Sequence, residues 1–160
     1  MGVTNIDTDY CMIIAVDFDG TIVENRLPKI GSALPMAVES LILLQREDQH
    51  QLILWTVRED SLLDDAVEWC KKRGLVFYAV NKNFPEEKKI GSRKLKADLF
   101  IDDLNLGGIP NWDLIYKMVK ANKSDRNYEE VYRSAFEVQE KAFLKRNFLL
   151  RLGALFANYR

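Results

Sequence analysis

The chain is poor in the residues that build most metal and redox sites. It has one histidine and two cysteines in 160 residues. Cys11 and Cys70 are too few for a disulfide framework and neither sits in a CxxC pair, so both read as small buried hydrophobes in a reducing compartment, most simply the cytoplasm. His50 stands alone, so a His-rich metal centre is excluded. It also precedes an apolar run, at the wrong strand end for catalysis. Charge of one sign is missing too. Lys and Arg total 23 against 24 Asp and Glu, so no broad basic field is available for nucleic acid or an acidic membrane. No apolar run approaches the roughly 20 residues of a membrane span. The opening MGVTNIDTDY is polar and acidic, with no basic start and no apolar stretch, so no signal peptide is expected there. Ile6 stands where a myristoylation motif wants Ser or Thr. The residues before Tyr10 read as a loose arm. Repeats and low-complexity segments are absent.

What is present is a series of short apolar runs alternating with helical patterns. CMIIAV (11–16) suits a central parallel strand covered on both faces. VENRLPKIGSALP is a loop or flap, and Pro35 is placed to open a helix over 36–46. QLILWT (51–56) is the next strand. SLLDDAVEWCKKRGL is a second helix with Leu62, Leu63, Ala66, Val67, Trp69 and Cys70 on its core face and Gly74 at its end. LVFYAV is a third strand, NKNFPEEKKIGSRK a polar loop, and ADLFIDD a fourth strand. A glycine-containing turn and a short helix follow over 104–119. Alternating strands and helices predict an α/β fold with a central parallel sheet. We expect a core over 1–121, a linker at 122–127 and one or two further helices in the extension 122–160.

Three strands end in polar chemistry: Asp17 and Asp19 after the first, Thr56 after the second, Asp102 and Asp103 after the fourth. In an open parallel sheet those carboxyl ends form the binding crevice. Asp-Gly after a strand is also a common hairpin signal. A hairpin does not account for Asp17 at the tip, or for Thr56 and Asp102 at the ends of other strands. Clustered carboxylates repel unless a cation sits among them, and hard oxygen ligands without His or Cys are what Mg²⁺ prefers. An anionic ligand would then find donors in Thr56, a nearby lysine and the backbone N–H groups of Gly20 and Thr21. These parts describe phosphoryl transfer to a carboxylate.

DFDGT (17–21) resembles the DxDGT signature of the haloacid dehalogenase superfamily of phosphatases. LILWT resembles its second motif and FIDD its fourth, in the same order and context. Within the superfamily, LILWTVRE, AVEWCKKRGL, AVN and SRKLKADLFIDDLNLGG are similar to a small capless bacterial subgroup of largely unassigned function. The resemblance implies a Rossmann-like three-layer α/β/α fold without a cap domain. It implies Asp17 as nucleophile and Asp19 as general acid, then base. It implies Mg²⁺ held by the Asp17 carboxylate, the Asp19 backbone carbonyl and Asp102, with Asp103 acting through water. Thr56 would bind a phosphate oxygen. Lys94 best matches the lysine of the third motif; Lys96 is the alternative, with Lys88 and Lys89 behind them. Arg58 either reaches substrate or is a solvated charge; Arg26 and Lys29 read as solvated flap residues, with contact to the leaving group as the alternative.

The segments 21–56 and 80–94 are too short for a folded lid, so the site should be open. The tail KAFLKRNFLLRLGALFANYR carries more apolar residues than one helical face holds, so it must dock. Its own domain comes first, a homo-oligomer interface second, a membrane surface last. The expected activity is Mg²⁺-dependent hydrolysis of a phosphomonoester, on a small molecule or a macromolecular end. The alternative from another class is a silent module that works through its tail.

Overall fold

The computed structural model describes residues 11–88, 94–122 and 133. The elements are β1 (Ile13–Val16), α1 (Ala37–Arg46), β2 (Gln51–Leu54), α2 (Asp60–Lys71), β3 (Ala79–Val80), β4 (Leu99–Ile101) and α3 (Trp112–Asn122). All strand pairs are parallel, in the order β3-β2-β1-β4. The architecture is three-layer α/β/α with a central sheet, as the alternation of elements predicts. Among the described residues no cap domain interrupts 17–36 or 81–98. The chain divides into two compact units, Met1–Asp113 and Leu114–Arg160, and the whole sheet lies in the first.

The central strands are apolar because both faces are covered. Ile14, Val16, Leu52 and Leu54 point one way and are fully buried. The connections from β1 to β2 and from β2 to β3 step in one direction, and the right-handed rule for parallel crossovers then puts α1 and α2 on one face of the sheet. α1 buries Ala37, Val38, Leu41 and Leu44 at helical spacing. On the other face Ala15, Ile53 and Ala79 form a cluster with Leu95, against which Ile13, Trp55, Ala97 and Phe100 pack. Leu95 and Ala97, which lead into β4, thus cover part of the second face. Truncating Ile14 or Ile53 to Ala should cost about 2–5 kcal/mol.

The start of β4 is pinned to β1 by Asp98. Its N–H donates to the Ile13 carbonyl and its Oδ2 accepts from the Ile13 N–H, both at 2.8 Å.

Several details depart from the sequence reading. β3 is two residues long, and Val76 and Tyr78 before it are exposed. It is an edge strand, so half of its backbone has no sheet partner to reward extension. Only Ala66 and Cys70 of α2 are fully buried; the rest of its expected core face is half-buried. Met36 stands outside α1 at φ 64 and is 51% exposed. Cys11 is exposed rather than buried, and its thiol donates to the Gln49 carbonyl at 2.8 Å. Cys70 is buried as expected, and burial pushes its thiol up to about 12. His50 is buried, with Nδ1 accepting from the Met12 N–H at 3.2 Å. Asn122, expected in a linker, ends α3. Among the described residues no helix is long and apolar enough to cross a membrane. The expected arm before Tyr10 and the tail, Arg133 apart, lie outside the described residues.

Candidate active site

Asp17 is the first residue past β1, and Asp102 the first past β4. The register pairs Val16 with Ile101. The next residue on each strand therefore stands beside its neighbour and points the same way. The Asp17 N–H donates to the Ile101 carbonyl at 3.0 Å, which carries the ladder to the tip. One carboxylate oxygen from each of Asp17, Asp102 and Asp103 lies within 4.8 Å of the others, and all three residues are half-buried.

The residues after the first aspartate shape this cluster. Gly20 has φ +95, and a Cβ there would collide with the Asp103 carboxylate. Glycine is needed twice over, for backbone and for clearance. Thr21 is fully buried; its Oγ1 accepts from the Asp103 N–H at 3.0 Å. Its carbonyl accepts from the buried Trp112 Nε1–H at 2.9 Å. Thr21 thereby joins the β1 tip to the β4 tip and to the start of α3. Asp102 Oδ1 accepts from the Leu104 N–H at 2.8 Å.

Burial pushes the Asp17 carboxyl up from an ordinary 3.8 to about 7, and the charges of Asp102, Asp103 and Asp19 push the same way against the Phe18 backbone hydrogen bond. A divalent cation reverses that balance, because it favours the ionised form of each carboxylate around it. The donors are all hard oxygens, and among the described residues no His or Cys joins them. This set fits a cation such as Mg²⁺, which Asp17, Asp102 and Asp103 could hold.

Asp19 is in different company. It is buried, and its carboxylate is not among the clustered three. Arg58 takes both of its oxygens: Nε donates to Oδ2 at 2.7 Å and Nη2 to Oδ1 at 2.8 Å. The sequence left Arg58 as a substrate contact or a solvated charge. It is neither exposed nor solvated, with 1% of its surface accessible. Two further N–H groups go to the flap, Nη1 to the Pro28 carbonyl at 3.0 Å and Nη2 to the Lys29 carbonyl at 2.9 Å. The flap itself is a narrow loop. The Glu24 N–H donates to Ser32 and the Leu34 N–H to Ile22, and Gly31 lets the two limbs approach where a Cβ would strike the Glu24 carbonyl.

Thr56 lies two residues past β2, half-buried, with Oγ1 accepting from the Arg58 N–H at 3.3 Å. Asn81, just past β3, holds this turn: its Oδ1 accepts from the Thr56 N–H at 2.8 Å and its Nδ2 donates to the Thr56 carbonyl at 2.9 Å. Lys94 and Lys96 are both exposed, on either side of buried Leu95 in the stretch that enters β4. The Lys96 N–H donates to Asn83 Oδ1 at 2.6 Å. The sequence reading gave Asn81 and Trp112 no role and did not foresee the ion pair of Arg58 with Asp19. Asn81 carried a signal, an Asn at a strand's carboxyl end where φ is 51.

No family model and no curated protein matches the chain. Among solved structures, that of a conserved protein coded by a locus from Bacteroides thetaiotaomicron matches at 64% identity. The match covers 72% of this chain and 94% of that one, with a TM-score of 0.68. The chain belongs to that protein's family. In the present chain, the capless parallel sheet and the aspartate cluster are consistent with a haloacid dehalogenase-like fold and a catalytic site of that type.

Proposed function

We propose that the protein is a Mg²⁺-dependent phosphomonoester hydrolase that works through an aspartyl-phosphate on Asp17. The observation that carries the reading is the meeting of Asp17, Asp102 and Asp103 at the carboxyl edge of the sheet. When bound, Mg²⁺ neutralises the phosphate and the carboxylates around it. Asp17, Asp102 and the Asp19 backbone carbonyl would hold it, with Asp103 acting through water.

The chain's own residues then divide the work. A free Asp17 oxygen attacks phosphorus, the bond to the ester oxygen breaks, and Asp19 gives that oxygen its proton. Water then attacks the phosphorus of the acyl phosphate while Asp19 takes up the water's proton. Inorganic phosphate leaves, and the Asp17 carboxylate is regenerated. The Thr56 hydroxyl and Lys94, or Lys96 in its place, bind the phosphate oxygens. An open site excludes water poorly, so cover from a bulky substrate or a second subunit would favour the chemistry.

Turnover of p-nitrophenyl phosphate with and without Mg²⁺, beside Asp17→Asn, tests the reading. Metal-dependent release of phosphate that disappears in the variant is expected. Activity that persists equally in Asp17→Asn overturns it. The second reading, a silent module, draws on the grip of Arg58 on both Asp19 oxygens. Absence of turnover on a broad panel of phosphorylated metabolites would favour that module.

A further inference from the structure

We propose that Arg58 is a positioning residue: its guanidinium fixes the Asp19 carboxylate relative to the flap, so that Asp19 meets the leaving-group oxygen. The proposal rests on the phosphatase reading and names a residue that the three strand-tip motifs do not contain.

The geometry is specific. The bidentate pair, at 2.7 and 2.8 Å, sets both the distance of the carboxylate and its rotation about the Cβ–Cγ bond. The other edge of the same fork reaches the Pro28 and Lys29 carbonyls at 3.0 and 2.9 Å. Phe18, fully buried between the two aspartates, lies 5.2 Å from the guanidinium and meets Trp69 edge-on at 5.7 Å. One planar group thus locks three pieces of chain: the β1 tip, the flap and the turn after β2. A lysine has neither the fork nor the plane to do this. The Arg58 backbone N–H adds a fourth tie, to the Thr56 hydroxyl oxygen. That hydroxyl keeps its own hydrogen for a phosphate oxygen.

Stability is a weak reason for such a pair, because buried ion pairs roughly break even against apolar replacements. Orientation is a better one. A carboxylate offers about four acceptor sites, and Arg58 fills two of them, one on each oxygen. One of the remaining sites carries the proton that passes to the leaving-group oxygen and afterwards takes up the water's proton, in a plane that Arg58 sets.

The test uses two substrates that differ in one nitro group. p-Nitrophenolate leaves phosphorus with little help, whereas phenolate needs a proton. With the full chain and saturating Mg²⁺, kcat/KM, which reports only the steps up to departure of the phenol, is measured for p-nitrophenyl phosphate and phenyl phosphate on wild type, Asp19→Asn, Arg58→Gln, Arg58→Lys and the Asp19→Asn/Arg58→Gln double variant. Both substrates are read on one preparation, so the ratio of the two kcat/KM values does not depend on the fraction folded. The phenyl to p-nitrophenyl ratio should fall roughly tenfold or more in Asp19→Asn and in Arg58→Gln. It should be intermediate in Arg58→Lys and fall no further in the double variant. Equal loss on both substrates in Arg58→Gln overturns the proposal and leaves the phosphatase reading intact. Where Arg58→Gln yields no folded protein, a wild-type ratio in Arg58→Lys overturns it. A variant faster than wild type on phenyl phosphate also overturns it, since Arg58 would then restrain Asp19. A wild type inert on both substrates removes the phosphatase reading and the proposal together.

Discussion

Asp17 and Asp19 leave the chain two residues apart, yet their surroundings are opposite. Asp17 faces two further carboxylates, and its carboxyl is pushed up to about 7 by burial and by negative neighbours. Asp19 faces a guanidinium that is itself buried and held by four hydrogen bonds. The first environment is short of positive charge until something brings it. The second is complete within the protein. A strand tip sends residues i and i+2 to one side only while the backbone stays extended. Here the chain turns after Phe18, whose carbonyl accepts from both the Ile22 and Val23 N–H groups. The comparison teaches that one short motif can build two electrostatic sites, one waiting for a cation and one that carries its own.

The largest break in the comparison is chemical. Asp17→Asn removes the attacking oxygen and should lower kcat by at least about 10⁴-fold. Asp19→Asn removes proton transfer alone and should cost about 10²–10⁴-fold. Single-turnover kinetics separate the two, because Asp19→Asn should still form some aspartyl-phosphate and Asp17→Asn none. Equal residual rates and no trapped intermediate in either variant would erase the distinction.

The next effect is on folding. Arg58→Met leaves the Asp19 carboxylate buried without its partner, which should cost about 3–5 kcal/mol. Adding Asp19→Leu should recover much of that loss, since a buried pair can be exchanged for apolar side chains. Urea denaturation of the single and double variants measures both. No recovery in the double variant would show that the packing of the arginine stem matters more than the charge.

How much of this was legible beforehand follows from where each contact lies. The sheet, its order of helices and the strand-tip aspartates could be read because apolar runs ending in polar residues have one good physical use in a parallel fold. Gly20 and Thr21 could be placed at the strand tip by their neighbours in sequence, but the Gly20 N–H, expected to face an anion, donates to the Val23 carbonyl at 2.7 Å. Arg58 could not be placed. It pairs with Asp19 across 39 positions, from one loop to another, and loops carry no periodicity that says which way a side chain points. The same holds for Trp112, whose partner Thr21 is 91 positions away. The length of β3 was overread because an apolar run looks alike at the edge and at the centre of a sheet, and only pairing tells them apart.

A smaller effect probes the cation directly. Asp103 is expected to act through water, whereas Asp17 and Asp102 are expected to bind directly. Asp103→Asn should therefore raise the Mg²⁺ concentration for half-maximal activity about 10–100-fold, while kcat at saturating metal changes little. A metal titration of turnover reads both values. Loss of kcat with unchanged metal dependence would put Asp103 elsewhere in the mechanism.

The smallest effect separates the two aspartates by sign. Unfolded, the Asp17 carboxyl ionises near 3.8; folded without metal, near 7. Below the lower value it is protonated in both states and costs nothing. Above the higher value it is ionised in both, and the folded state bears the full cost of that buried charge. Its contribution to metal-free stability therefore declines as pH rises from about 4 to about 7 and then levels off. Asp17→Asn lacks this decline. At pH 8 with a chelator it should be more stable than the parent by about 1–2 kcal/mol, allowing for solvent screening. A cation held by the ionised carboxylate reverses the order, so Mg²⁺ should raise the melting temperature of the parent more than that of the variant. Thermal melts at pH 5 and pH 8, with chelator and with Mg²⁺, measure the four corners. A variant less stable than its parent at pH 8 without metal would mean that Asp17 is supported by the fold as Asp19 is, and the contrast between the two carboxylates would be gone.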